Sequence, residues 1–104
     1  MTNKWKIGWD EFLVTNQTMA VIFIDGRGSG YDGNNLRFAV NRKLGKYEID
    51  DQINGINMIC EDHKYKELLD CSKLSIMGWS YGGYASAMTI SRDDSPFQCG
   101  ISLG

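Results

Sequence analysis

From Leu74 to Met88 the chain reads L-S-I-M-G-W-S-Y-G-G-Y-A-S-A-M. A short apolar run, a knot of glycines around one serine and a run of small residues follow without a break. The first part reads as a strand, and "YGGYASAMTISRDD" reads as a helix of small residues. The junction between them must turn sharply, and glycines at 78, 82 and 83 permit it. A strand that turns at once into a helix belongs to a sheet covered by helices. The rest of the chain is constrained accordingly.

The flanking segments fit that frame. "WKIGWDEFLVTN" reads as a helix, with Trp5, Trp9, Phe12 and Leu13 on one face. "MAVIFID" is a continuous apolar run with β-branched residues, the pattern of a strand covered on both faces. No periodicity assigns "NNLRFAVNRKLGK". From Tyr47 a helix is expected, because Ile49, Ile53, Ile56 and Cys60 share a face. Glu48, Asp50 and Asp51 sit in its first turns, where the helix dipole favours acids. Gly55 in its middle implies a close neighbour. "FQCGISLG" is a last apolar strand. The order α-β-α-β-α-β implies an α/β protein built from parallel βαβ units.

The 104 residues suffice for one domain, and three Trp, five Tyr and four Phe argue against disorder. The formal net charge is −2 with scattered basic residues, so no nucleic-acid partner is expected. No apolar run approaches the roughly 20 residues of a membrane span. The N-terminus lacks the uninterrupted apolar core of a signal peptide. Of three cysteines, Cys60 and Cys71 could pair, or all three could be reduced and buried. The single histidine, His63, and the absence of C-x-x-C leave no metal site to expect. "NQT" at Asn16 is an N-glycosylation sequon, meaningful in the secretory route.

Two glycine clusters compete as the functional site. Gly28, Gly30 and Gly33 spell G-x-G-x-x-G after the expected strand at "AVIFID". A dinucleotide site also needs a close-packed helix start and an acid after a second strand. Here Asn34, Asn35 and Arg37 follow the motif, and Asp50 and Asp51 fall within a helix instead. The P-loop pattern fails too, since no G-K-[ST] is present. The glycines read as a sharply turning loop, fixed by a buried Asp25–Arg27 turn, and no cofactor is expected.

The second cluster, Gly78 to Gly82, is G-x-S-x-G, the nucleophile-elbow pattern of the α/β-hydrolases. A strained turn would lift the Ser80 hydroxyl clear of the sheet. Gly78 and Gly82 would leave room where the backbones crowd. The Tyr81 N–H would meet the oxyanion of a tetrahedral intermediate. The competing explanation is a helix with Ser80 as an ordinary N-cap. In α/β-hydrolases the triad acid and histidine follow the serine. His63 precedes it in a polar connector and reads as a surface residue. Asp93 and Asp94 lie too close behind the elbow helix. A nucleophile without its partners, on too few strands, implies a partial α/β-hydrolase fold. Its βαβαβ parallel-sheet core would be truncated at both ends, residues 1–104 being part of one catalytic domain with no second domain.

"DGRGSGYDG", "NRKLGKYEIDDQ", "GWSYGGY" and "FQCGIS" occur in this order in the dipeptidyl peptidase IV branch of the prolyl oligopeptidase family, which the chain resembles from about Trp5 onward. The resemblance implies a serine exopeptidase that releases N-terminal dipeptides with Pro or Ala second. Ser80 matches the nucleophile. Tyr81 matches the residue whose amide serves the oxyanion and whose ring lines the proline pocket. Gly78, Gly82 and Gly83 match the elbow glycines, and the "DGRGSG" loop is structural. Cys99 matches a cysteine that pairs with one far downstream in extracellular members. That pairing and the Asn16 sequon both suit an oxidising compartment. The implied parent is at the cell surface as a type II membrane protein, or secreted, and homodimeric.

The departures are specific. The second oxyanion donor, a tyrosine, would lie before Met1, and the triad Asp and His beyond Gly104. The β-propeller whose glutamates hold the substrate amino terminus has no counterpart here. Met77 stands where the family has Trp. The segment from Cys60 to Lys73 looks longer than the family's. Some relatives lack the serine and act as channel-associated proteins, and Ser80 argues against that group. Two further readings are a truncated, non-catalytic copy acting through partners, and another α/β-hydrolase such as an esterase. The 104 residues alone are expected to be inactive and, with strand edges open, poorly soluble.

Overall fold

The computed structural model describes residues 7–30 and 33–104. Its elements are α1 (Trp9–Asn16), α2 (Asn34–Phe38), α3 (Tyr47–Glu61), β1 (Ser75–Trp79), α4 (Tyr81–Ile90) and β2 (Cys99–Leu103). The fold is mixed α/β. β1 and β2 pair in parallel, with Ser75 opposite Cys99 and Trp79 opposite Leu103. α4 connects them and packs on both, so the centre is one βαβ unit with α3 against α4.

α4 lies close to the sheet because its inner face is small. Gly83, Ser86 and Thr89 are its buried residues. The Ser86 and Thr89 hydroxyls donate to the carbonyls of Gly82 and Ala85, one turn back. These side chains therefore bury no unpaired polar group. The strands answer with glycine: a Cβ on Gly100 would lie 2.9 Å from Ile90 Cδ1. The apolar core is Ile49, Ile53 and Ile56 of α3, at most 4% exposed. These are three of the four residues whose spacing predicts that face. The fourth, Cys60, forms a disulfide with Cys71 across 11 residues, and Cys99 is free and exposed. This excludes the alternative of three reduced, buried thiols.

The expected strand "MAVIFID" is not formed. The apolar sequence favours an extended chain, but a strand exists only where a second backbone lies about 4.8 Å away to accept its hydrogen bonds. Between this segment and β1 there is instead a cleft of about 710 Å³, lined by Ile22, Ile24, Leu69, Leu74, Ile76 and Met77 among others. The segment is held from the side: the Gln52 amide of α3 donates to the Ile24 carbonyl. Ile24 also packs where a Cβ on Gly55 would stand, at 3.0 Å, which identifies the close neighbour that Gly55 implies. The expected βαβαβ core is therefore a βαβ among the described residues.

α1 forms as expected, and Glu11 accepts from the Gly8 N–H at its start. Trp9 and Phe12 stack with ring centroids 5.5 Å apart, confirming a shared face, yet both rings are exposed. Trp5 lies outside the described residues. "NNLRFAVNRKLGK" contains the five-residue α2 followed by turns. Every residue of β2 is exposed, and no described helix is long and apolar enough to cross a membrane.

Candidate active site

Ser80 stands between the last residue of β1 and the first of α4. Its backbone has φ 55° and ψ −119°. An L-residue with positive φ is uncommon, and this ψ lies outside the small left-handed helical well. Such a conformation costs about 1–3 kcal/mol and persists where its surroundings enforce it. Three constraints do so here. The Ser80 N–H donates to the Leu103 carbonyl at 2.8 Å, tying the turn to β2. The Ser80 carbonyl accepts from the Tyr84 N–H, starting the helix. Finally, β1 and α4 approach so closely that only glycine fits at two positions. A Cβ on Gly78 would lie 2.1 Å from the Gly82 carbonyl oxygen, and one on Gly83 would lie 2.4 Å from that of Leu103. The sequence pairs Gly78 with Gly82 as the positions needing room, but a Cβ on Gly82 meets nothing within 4 Å among the described residues. The crowding falls on Gly78 and Gly83.

The Ser80 side chain is exposed and makes no capping hydrogen bond. An N-cap serine earns its place by accepting from the second or third N–H of the helix. Ser80 does not, so capping leaves its position and strained backbone unexplained. The first-turn amides of α4 have no intrahelical acceptor. The Ser80 hydroxyl therefore stands exposed at the strand–helix junction, beside the N-terminal amides and the positive end of α4.

Tyr81 carries a second feature. Its hydroxyl donates to Glu48 Oε1 at 2.5 Å, linking α4 to α3. The Gly45 N–H donates to the same oxygen. Glu48 is 8% exposed, and its Oε2 is buried with no hydrogen-bond partner among the described residues. Burial and the adjoining carboxylate push the Tyr81 phenol up to about 12. For Glu48, desolvation acts to raise the pKa, but donation from Tyr81 and Gly45 outweighs it and the carboxyl sits below its usual value. A second cavity, about 480 Å³, lies between α3, the first glycine loop and the start of α4, with Glu48, Tyr81 and Gly82 in its wall. Ser80 lines neither cavity.

With this geometry established, the comparisons with known proteins are direct. The prolyl oligopeptidase family matches residues 5–103. The chain belongs to the prolyl oligopeptidase family. These are serine peptidases. The chain is 36% identical to human prolyl endopeptidase FAP over 97 residues, or 93% of its length. It is 35% identical to dipeptidyl peptidase 4 of Felis catus over 95% of its length, and 38% identical to venom dipeptidyl peptidase 4 of Apis mellifera over 99%. It spans only 12–13% of the length of these curated relatives.

In this prolyl oligopeptidase family chain the first glycine cluster is a docked loop. The expected Asp25–Arg27 turn is replaced by a longer-range pair. Arg27 Nη2 lies 2.6 Å from Asp51 Oδ1, and Arg27 Nε lies 2.9 Å from Oδ2. The Arg27 backbone N–H donates to Oδ2 at 2.7 Å. The guanidinium also sits 4.6 Å from the centre of the Tyr47 ring. Hydrogen bonding from Arg27 lowers the Asp51 pKa. The reason is spatial. Asp25 is a sequence neighbour, but Asp51 lies against Gly26, where an added Cβ would come within 2.7 Å of its own Cβ. α2 begins where G-x-G-x-x-G ends, but it has five residues, and among the described residues no paired strand precedes the loop.

The acids at the start of α3 do more than face a dipole. Glu48 holds Tyr81, Asp51 holds Arg27, and Asp50 receives Arg92 Nη1 at 2.5 Å. Arg92 also grips Asp94, whose pKa it lowers. Sequence reasoning missed Glu48. The clue was the acid–x–x–D-Q spacing after "RKLG", which places Glu48 and Asp51 one turn apart. His63 is exposed in the turns after α3. Asn16 is exposed as the last residue of α1, and Cys99 opens β2.

Proposed function

We propose that these residues are part of the α/β-hydrolase catalytic domain of a dipeptidyl-peptidase-type serine exopeptidase. In this reading Ser80 is the nucleophile. It attacks the carbonyl after the second residue of a peptide, giving an acyl-enzyme and releasing the shortened chain. Water then frees the dipeptide. The Tyr81 N–H receives the oxyanion, and the Tyr81 ring forms one wall of the pocket for Pro or Ala. The triad Asp and His are supplied from outside these 104 residues. A serine hydroxyl needs an adjoining base to attack at neutral pH, so the isolated chain is inactive. The observation that carries the reading is the strained backbone of Ser80 with its hydroxyl left free at the strand–helix junction. The names of the relatives supply the substrate class.

The extracellular attributes follow the same reading. Cys99, exposed and free here, would pair with a downstream cysteine, and Asn16 would be glycosylated. A cell-surface or secreted parent fits the Cys60–Cys71 disulfide, since disulfides persist in oxidising compartments.

The test is hydrolysis of a Gly-Pro chromogenic amide by the full-length protein containing these residues, with labelling by a fluorophosphonate. Turnover and labelling that both vanish in Ser80→Ala are expected. A full-length protein that neither turns over nor labels would be the non-catalytic copy. Turnover by the 104 residues alone would refute the assignment of base and orienter to other segments.

A further inference from the structure

Glu48 is a buried titratable group that the mechanism above does not use. It is not a surface acid serving the helix dipole, since it is more than nine-tenths buried. One oxygen takes two donors, the Tyr81 hydroxyl and the Gly45 N–H. The other is buried without a partner among the described residues. A buried carboxylate so incompletely satisfied is a poor way to join two helices, because its desolvation offsets much of what its hydrogen bonds return. Replacing it with a well-packed apolar residue would often be neutral or stabilising. What it provides is direction. Tyr81 is 48% exposed, so one side of its ring faces outward while its hydroxyl is fixed inward at α3. The residue so fixed is the one directly after Ser80.

The surroundings keep the acceptor in place. Gly45, at φ 84°, brings its N–H to the carboxylate in a conformation that suits glycine. A Cβ there would collide with the Tyr84 hydroxyl at 2.4 Å. The Tyr81 and Tyr84 rings meet with centroids 5.6 Å apart. Gly45, Tyr84 and Glu48 thus form a socket around the Tyr81 hydroxyl and one edge of its ring.

We infer that Glu48 is a positioning residue that sets the specificity of the site by holding the Tyr81 ring at a fixed angle beside Ser80. This deepens the proposed function and rests on it. A proline at the cleaved position meets more of that ring face than an alanine methyl does. Freeing the ring therefore weakens selection for proline more than it weakens the chemistry.

The experiment uses the full-length protein and compares Gly-Pro with Gly-Ala chromogenic amides. Glu48→Gln keeps the shape and one acceptor oxygen but removes the charge. It is expected to lower kcat/KM about tenfold for Gly-Pro and about twofold for Gly-Ala. Tyr81→Phe keeps the ring and removes the tether, and should do the same. The double variant should lose little more, because both changes act on one contact, which Gln weakens and Phe removes. Tyrosine 13Cζ resonances report the tether directly: one signal, absent in Tyr81→Phe, should move in Glu48→Gln. A purely structural role would lower Tm and both substrates alike, and that result overturns the inference. Hydrolysis with an unchanged Gly-Pro to Gly-Ala ratio, or an unmoved Tyr81 resonance, overturns it while leaving the proposed function standing. No hydrolysis by the unsubstituted protein overturns both.

Discussion

The βαβ unit from Ser75 to Leu103 and the segment from Ile7 to Gly45 are held by different forces. In the first, backbone bonds to backbone along the β1–β2 ladder, and the elbow is tied to β2 through Ser80 and Leu103. Glycines and hydroxyls let α4 sit on the sheet with no room to shift. In the second, among the described residues, no strand forms and no helix or strand packs against α1. Side chains reaching out from α3 hold its glycine loop: Asp51 takes Arg27, and Gln52 donates to the Ile24 carbonyl. The lesson is that α3 is the part both regions depend on. It presents Glu48 to the elbow and Asp51 to the glycine loop one turn later.

The contrast is easiest to break at the glycines. Gly78→Ala places a Cβ against the backbone of Gly82, which has nowhere to go, and should destabilise the full-length protein by about 3 kcal/mol or more. Gly30→Ala meets nothing within 4 Å among the described residues. It should cost less than about 0.5 kcal/mol in the same urea titration. Equal effects would show that the elbow is no more tightly packed than the loop.

The join itself is tested next. The disulfide between Cys60, near the end of α3, and Cys71, before β1, closes a short loop. Replacing both cysteines with serine should lower stability by about 3 kcal/mol on loop entropy alone. Hydrogen exchange should localise the loosening to the C-terminal turn of α3.

The loop's attachment should respond to acid. Asp51→Asn is expected to cost about 1–2 kcal/mol at neutral pH, since both partners are partly exposed. The folded Asp51 pKa lies below its usual 3.8. Its contribution is therefore present above about pH 4 and lost as pH falls through the folded value. The variant and the unsubstituted protein should converge in acid, and a difference that persists below that range would place the cost elsewhere.

Among the contacts that join the two regions, the smallest effect belongs to the link between α3 and the elbow. Tyr81→Phe should cost about 1 kcal/mol, because the Glu48 oxygen that loses the phenol keeps the Gly45 N–H as a donor. The Tyr81 phenol is raised from 10.0 to about 12. The bond's contribution is thus complete below pH 10 and disappears as pH rises through about 12. An alkaline unfolding curve in which the two proteins draw together over that interval would sharpen the assignment. Parallel curves would sink it.

Local rules made α3, β1, α4 and β2 legible. Isoleucines spaced at four and three residues need one face buried, whatever buries it. A strand, a glycine-flanked serine and a run of small residues leave few other backbone paths. "MAVIFID" misled for an equally physical reason. Periodicity reports what a segment would bury, while a strand also needs a neighbouring backbone at hydrogen-bonding distance, and here a cleft lies where that neighbour would be. Arg27 misled because the nearest acid in sequence is not the nearest in space.

By itself the sequence determined α1, α3, α4 and the sharp turn at Ser80, because those follow from the side-chain volumes and backbone freedom of adjacent residues. Only the tertiary structure decided that Gly78 and Gly83, rather than Gly82, carry the crowding, that Arg27 answers Asp51, and that a buried Glu48 holds the tyrosine beside Ser80. Those are distances between residues up to 33 positions apart. Nothing in their local chemistry selects one partner over another until α3 is laid between the loop and the elbow.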